Sequence, residues 1–81
     1  MKKILKFSAT WCGPCKALAM TLDGLDLGVP VEDVDIEENS ELAASYQVRG
    51  VPTLVLLDEN GDEVKRQSGA LTAAQLRAFV S

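Results

Sequence analysis

Histidine is absent from this 81-residue chain, and cysteine occurs only twice. Zinc takes four ligands, commonly cysteine or histidine, so one copy of the chain cannot supply a full set. Only a dimer pooling its cysteine pairs offers four thiolates. Basic charge is also short: 8 Lys and Arg stand against 12 Asp and Glu, a net charge of −4. No basic face is available to neutralise phosphates, which argues against a nucleic-acid partner. Long apolar runs are missing too. Met1-Lys2-Lys3-Ile4-Leu5 is interrupted at once by Lys6, so there is no signal core of about 7–15 apolar residues. Nothing approaches the roughly 20 apolar residues that span a bilayer. A cytoplasmic location away from membranes is therefore expected, where thiols are kept reduced. Repeats, linkers and low-complexity segments are also lacking, so residues 1–81 read as a single domain.

What is present is an ordinary globular composition. Hydrophobic residues make up 47% and charged residues 25%, enough apolar surface to fold rather than stay disordered. A chain this short buries only about 60% of its unfolded surface, so its core must be compact.

Lys3–Ser8 reads as a strand, with Ile4, Leu5 and Phe7 supplying bulk. Over residues 14–25, Cys15, Leu18, Ala19 and Leu22 recur at helical spacing. Pro14 suits a first turn, where its missing N–H costs nothing. Gly24 and Gly28 mark the exit, and residues 29–36 read as a second strand. Asn39 or Ser40 caps a short helix with Leu42, Ala43 and Tyr46 turned inward. Thr53–Leu57 is an apolar third strand, Asp58-Glu59-Asn60-Gly61 a turn, and Glu63–Ser68 the hairpin partner. Thr72 and Gln75 form a capping box for a last helix, with Leu71 and Leu76 at the positions of a hydrophobic staple. Leu76, Phe79 and Val80 make its buried stripe. The order β-α-β-α-β-β-α implies parallel pairing across the crossovers and antiparallel pairing across the short turn. An α/β fold is expected, a mixed four-stranded sheet flanked by three helices.

The chemistry centres on Trp11-Cys12-Gly13-Pro14-Cys15, between the first strand and the first helix. First-turn amides have no partner inside a helix and carry the positive end of its dipole. They favour a thiolate at Cys12. A bridge closing so short a loop constrains the unfolded chain little, so a purely structural staple is a poor reading. In a reducing compartment such a pair is catalytic or metal-binding instead.

With Lys16 after these residues, Val48-Arg49-Gly50-Val51-Pro52-Thr53 downstream and Gly69-Ala70-Leu71 beyond, the chain resembles the thioredoxin family over nearly its whole length. The resemblance implies a thioredoxin-like fold lacking the N-terminal strand and helix of full-length thioredoxins, a size nearer to glutaredoxins. It also implies a protein disulfide reductase. In such proteins Cys12 attacks a substrate disulfide, Cys15 resolves the mixed disulfide, and a Cys12–Cys15 disulfide remains. Gly13 and Pro14 between the cysteines match the reducing type. Pro52 is expected to follow a cis peptide bond and face the cysteines. Trp11, Gly50, Val51, Pro52, Thr53, Gly69 and Ala70 would line the groove for substrate backbone. No bound cofactor is implied. The partners would be disulfide-containing proteins and an NADPH-dependent flavoprotein reductase like thioredoxin reductase, with the chain itself a monomer.

One departure from the family is chemical. Thioredoxins usually place a buried acid six residues before the first cysteine, and this chain has Lys6 there. On the neighbouring strand, where many have lysine, it has Asp33. The pair is exchanged between strands with its total charge unchanged. If Lys6 and Asp33 lie side by side behind Cys15, Asp33 would take the proton of the resolving thiol, with Lys6 as its counter-charge. The plainer reading of Lys6 is a side chain snorkelling from a sheet edge. Two other functions fit the same residues: a glutaredoxin-like or ribonucleotide-reductase-dedicated electron donor, and a non-catalytic binding module on this fold.

Overall fold

The structure, a computed structural model, describes residues 2–81. Its elements follow the expected order: β1 (Lys3–Ser8), α1 (Gly13–Asp23), β2 (Val31–Asp35), α2 (Ser40–Ser45), β3 (Thr53–Leu57), β4 (Glu63–Ser68) and α3 (Ala73–Val80). The strands form one sheet in the order β2-β1-β3-β4, with β1–β2 parallel and the other two pairs antiparallel. β1 and β3 are the inner strands, which is why both are apolar on two faces. Ile4, Leu54 and Leu56 pack with Leu18 of α1 and with Leu76 and Phe79 of α3. Leu5, Phe7, Val55 and Leu57 face the other way, with Val34 of β2 and against Ala43 of α2. So α1 and α3 share one side of the sheet, and α2 covers the other.

Boundaries shift where local chemistry overrides the apolar pattern. α1 starts at Gly13 and stops at Asp23, capped by Gly24, and the following Leu25 N–H donates to the Leu22 carbonyl at 3.1 Å. Leu25 and Leu27 have left the helix yet still pack on the α1 side of the core. β2 begins at Val31 rather than 29, because Pro30 has no N–H to give a ladder. Its carbonyl still accepts from the Ile4 N–H at 2.9 Å.

Other local features follow the sequence closely. Thr72 Oγ1 accepts from the Gln75 N–H at 3.2 Å, and Gln75 Oε1 accepts from the Thr72 N–H at 2.9 Å. That completes the capping box, a device typically worth about 1 kcal/mol. In the hairpin turn Asp58 Oδ1 accepts from the Asn60 and Asp62 amides, and Gly61 takes φ +83°. The turn leads into a bulge that sets Glu63, rather than Val64, opposite Leu57. The bulge brings Glu63 and Arg66 to one face, where strict alternation would separate them. Arg66 Nε and Nη2 donate to Glu63 Oε2 and Oε1 at 2.6 and 2.7 Å. That hydrogen-bonded guanidinium holds the Glu63 carboxyl below its ordinary range.

Candidate active site

The link between β1 and α1 turns sharply, with the Cys12 N–H donating to the Ala9 carbonyl at 3.2 Å. It leaves Cys12 as the N-cap of α1 in an extended conformation, and Pro14 falls in the first turn. The Cys15 N–H donates to Cys12 Sγ at 3.1 Å. This first-turn amide, unpaired within the helix, is therefore spent on the sulfur. Cys12 and Cys15 are joined as a disulfide, with Cα atoms 5.2 Å apart. Both are buried, against Ala9, Ile36 and Val51. Trp11, by contrast, is 66% exposed beside them, and Gly13 and Pro14 are exposed as well. An apolar contact surface thus sits next to a largely covered sulfur pair.

The loop before β3 closes over this pair. The Val51 carbonyl oxygen lies 3.7 Å from Cys12 Sγ, and the Val51–Pro52 peptide is cis. Thr53 Oγ1 donates to the Gly50 carbonyl at 2.7 Å, which ties the two sides of this bend together. The Gly69 N–H donates to the Pro52 carbonyl at 3.0 Å. Gly69 does so at φ +100°, a conformation that side chains disfavour. Glycine is required there by the bend, and the bend puts Gly69 beside Pro52. Val51 thus packs against the cysteines, with Gly50, Pro52, Thr53 and Gly69 tied to it through the bend and its hydrogen bonds, and Ala70 exposed.

Lys6 and Asp33 are also brought together, at a different depth. They face each other in the β1–β2 register, with Lys6 Nζ 2.7 Å from Asp33 Oδ1. The Lys6 side chain is 10% exposed and that of Asp33 74%. β1 is an inner strand, so Lys6 does not snorkel from an edge; it reaches across to the edge strand β2. The pair borders a cavity of about 320 Å³ that meets α1 at Ala19, Leu22 and Asp23. The cysteines do not line this cavity. The pair therefore lies further along α1 than a place directly behind Cys15.

Sequence reasoning missed Ile36. Ile36 packs against the cysteines, and its N–H donates to the Ser8 carbonyl at 3.0 Å. Its apolar side chain just past the end of β2 was the only signal. Among the described residues no group of three or more His, Cys, Asp or Glu is arranged to hold a metal. No helix among them is long and apolar enough to cross a membrane.

Comparison with known proteins bears on this geometry. The sequence model of the thioredoxin family matches residues 1–81. A thioredoxin of Haemophilus influenzae is 39% identical over 82 residues, covering 96% of this chain and 76% of its own length. One from Pseudomonas aeruginosa is 37% identical over 81 residues, covering 95% and 74% respectively. Among solved structures, Fasciola hepatica thioredoxin superposes with a TM-score of 0.87 at 36% identity, covering 98% of this chain and 77% of that one. A mutant thioredoxin from Halobacterium salinarum gives a TM-score of 0.89 at 36% identity, over 98% and 71%.

Proposed function

Because the chain belongs to the thioredoxin family, we propose that its Cys12–Cys15 couple is fed by an NADPH-dependent flavoprotein reductase and spent on disulfides in extended protein segments. The chain is a thiol–disulfide oxidoreductase that reduces protein disulfides, as the thioredoxin homologues and the cysteine pair establish. The electron source, the roles of single residues and the cytoplasmic setting of a monomer are our reading. One observation carries it. Cys12 Sγ receives the Cys15 amide and lies against the carbonyl preceding cis Pro52.

The cycle balances with two thiols. Reduced Cys12 attacks as the thiolate favoured by the first-turn amides. It bonds to one substrate sulfur and expels the other as a thiolate. The Cys15 sulfur, as a thiolate, then attacks Cys12 Sγ, releasing the second substrate sulfur and leaving the disulfide seen here. Two electrons reach the substrate in each cycle. The reductase restores them from NADPH through its own flavin, so this chain needs no bound cofactor. Trp11 and the Gly50–Thr53 bend hold the substrate backbone against the groove. A reducing compartment keeps the couple supplied.

The test is coupled turnover. With NADPH, a thioredoxin reductase and a disulfide protein, the chain is expected to turn over continuously, and its couple to equilibrate near about −270 mV, the value typical of thioredoxin. Turnover driven by glutathione alone, with a potential near about −200 mV, would overturn the flavoprotein source.

Because Lys6 and Asp33 lie further along α1 than the role at Cys15 requires, the pair is assigned to clamping β1 to β2. Asp33→Asn is then expected to leave the single-turnover resolution of a mixed disulfide unchanged. It should lower stability by about 1–3 kcal/mol, since Lys6 is only 10% exposed and loses its partner. A resolution slowed by about a hundredfold would instead make Asp33 the acceptor of the Cys15 proton.

A further inference from the structure

A second recess opens beside the groove, between the loop ahead of β3 and the outer strand β4. It encloses about 330 Å³, with Gln47, Arg49, Gly50, Thr53, Arg66 and Ser68 in its wall. No carboxylate lines it. The chain as a whole carries −4, yet this wall holds two arginines, and Arg49 has no acidic partner among the described residues.

The two arginines are differently held. Arg49 is exposed and enters no ion pair among the described residues. Arg66 gives Nε and Nη2 to Glu63, which fixes the plane of its guanidinium and leaves Nη1 available. The same hydrogen bond stabilises its charged form. The unpaired Arg49 guanidinium, with the oriented Nη1 of Arg66 in the same wall, is suited to a carboxylate.

The recess is also in the right place for substrate. Gly50 and Thr53 in its wall flank Val51–Pro52, and the Val51 carbonyl is 3.7 Å from Cys12 Sγ. An extended segment rises about 3.3 Å per residue. A side chain a few positions from the attacked cysteine therefore reaches the recess.

We propose that the Arg49–Arg66 recess binds an acidic side chain of the substrate, about two to four residues from the cysteine under attack, and so selects acidic disulfide segments. This rests on the reductase reading above and adds a substrate class to it. Carboxylate binding lowers KM and leaves the sulfur chemistry untouched.

The experiment uses the reduced protein and a set of C-terminally amidated disulfide peptides. One Glu is moved along the positions on either side of the cysteine, and each peptide has a Gln counterpart. The best Glu peptide is expected to exceed its counterpart roughly three- to fivefold in kcat/KM, the upper range for an exposed ion pair. The advantage should shrink with added salt and fall to about one in Arg49→Gln, with Arg49→Lys keeping part of it. Equal rates for Glu and Gln peptides, or an advantage that survives Arg49→Gln, would overturn the proposal. A gain seen only when a Gln peptide carries a free C-terminal carboxylate assigns the recess to chain ends and also overturns it. The Gln peptides separate the two levels of argument: their reduction supports the reductase reading whatever the preference, and their failure to react sinks that reading.

Discussion

A Cys15→Ser protein is expected to attack a disulfide once and then fail to let go. Cys12 keeps its place as the N-cap of α1, and the residue 15 backbone amide that approaches its sulfur at 3.1 Å is retained by serine. The first step is thus preserved. The second step depends on a sulfur held within the same turn, on a residue whose Cα is 5.2 Å from that of Cys12. Holding a reactant in place is worth effective molarities of about 10⁵–10⁸ M in well-oriented cases. No thiol in solution matches that. Steady-state turnover should fall by more than about a thousandfold, while intact-mass analysis finds one substrate half bound per protein. Cys12→Ser should form no such adduct. An adduct through Cys15 in that variant would reverse the order of the two sulfurs.

That order was legible because it rests on local chemistry. A cysteine before a helix, followed by proline in the first turn, is a property of adjacent residues, as are the Thr72–Gln75 box and the Asp58–Gly61 turn. Such features fix element type and most of the ends. The misses came where two forces compete over a few residues. Leu25 and Leu27 continue the apolar pattern of α1 and do reach its side of the core, but Gly24 has already ended the helix. The apolar Val29 reads as strand, yet Pro30 withholds the N–H a ladder needs. In β4, Val64 suggested nothing unusual, and the bulge beside it decides which side chains share a face.

Long-range placement was legible only in part. Lys6 and Asp33 were expected as neighbours only through the family's placement of an acid and a lysine on these two strands, and the β1–β2 register pairs them. Their depth along α1 depends on how far the helix slides over the sheet, which no spacing in the chain encodes. The Arg49–Arg66 recess was invisible for a related reason. Arg49 belongs to a loop, and Arg66 reaches the same wall from a strand whose phase was reset by the bulge. Neither residue carries a local mark of the other.

Phe7→Ala is expected to cost most of the fold's stability. Phe7 is fully buried, packs with Leu5, Val34 and Val55, and sets its ring 5.7 Å from that of Tyr46. Emptying such a site typically costs about 3–5 kcal/mol, part transfer and part cavity. A chain of this length has only about 4–12 kcal/mol to lose, at roughly 0.05–0.15 kcal/mol per residue. The melting temperature should therefore drop by about 15 °C or more, read by far-UV circular dichroism. Phe7→Leu, which keeps most of the volume, should cost about 1.5 kcal/mol or less. The position couples stability to chemistry. Phe7 stands opposite Val34 on one side and Thr53 on the other, so it joins the three strands whose ends present Ile36, Cys12 and cis Pro52. Loosening it should let those ends move independently before the sheet melts. Reductase activity in Phe7→Ala is then expected to fade at temperatures where helix content still persists. Activity and helix signal lost together, or a cost below about 1 kcal/mol, would show that α2 and the second apolar cluster do not brace the site.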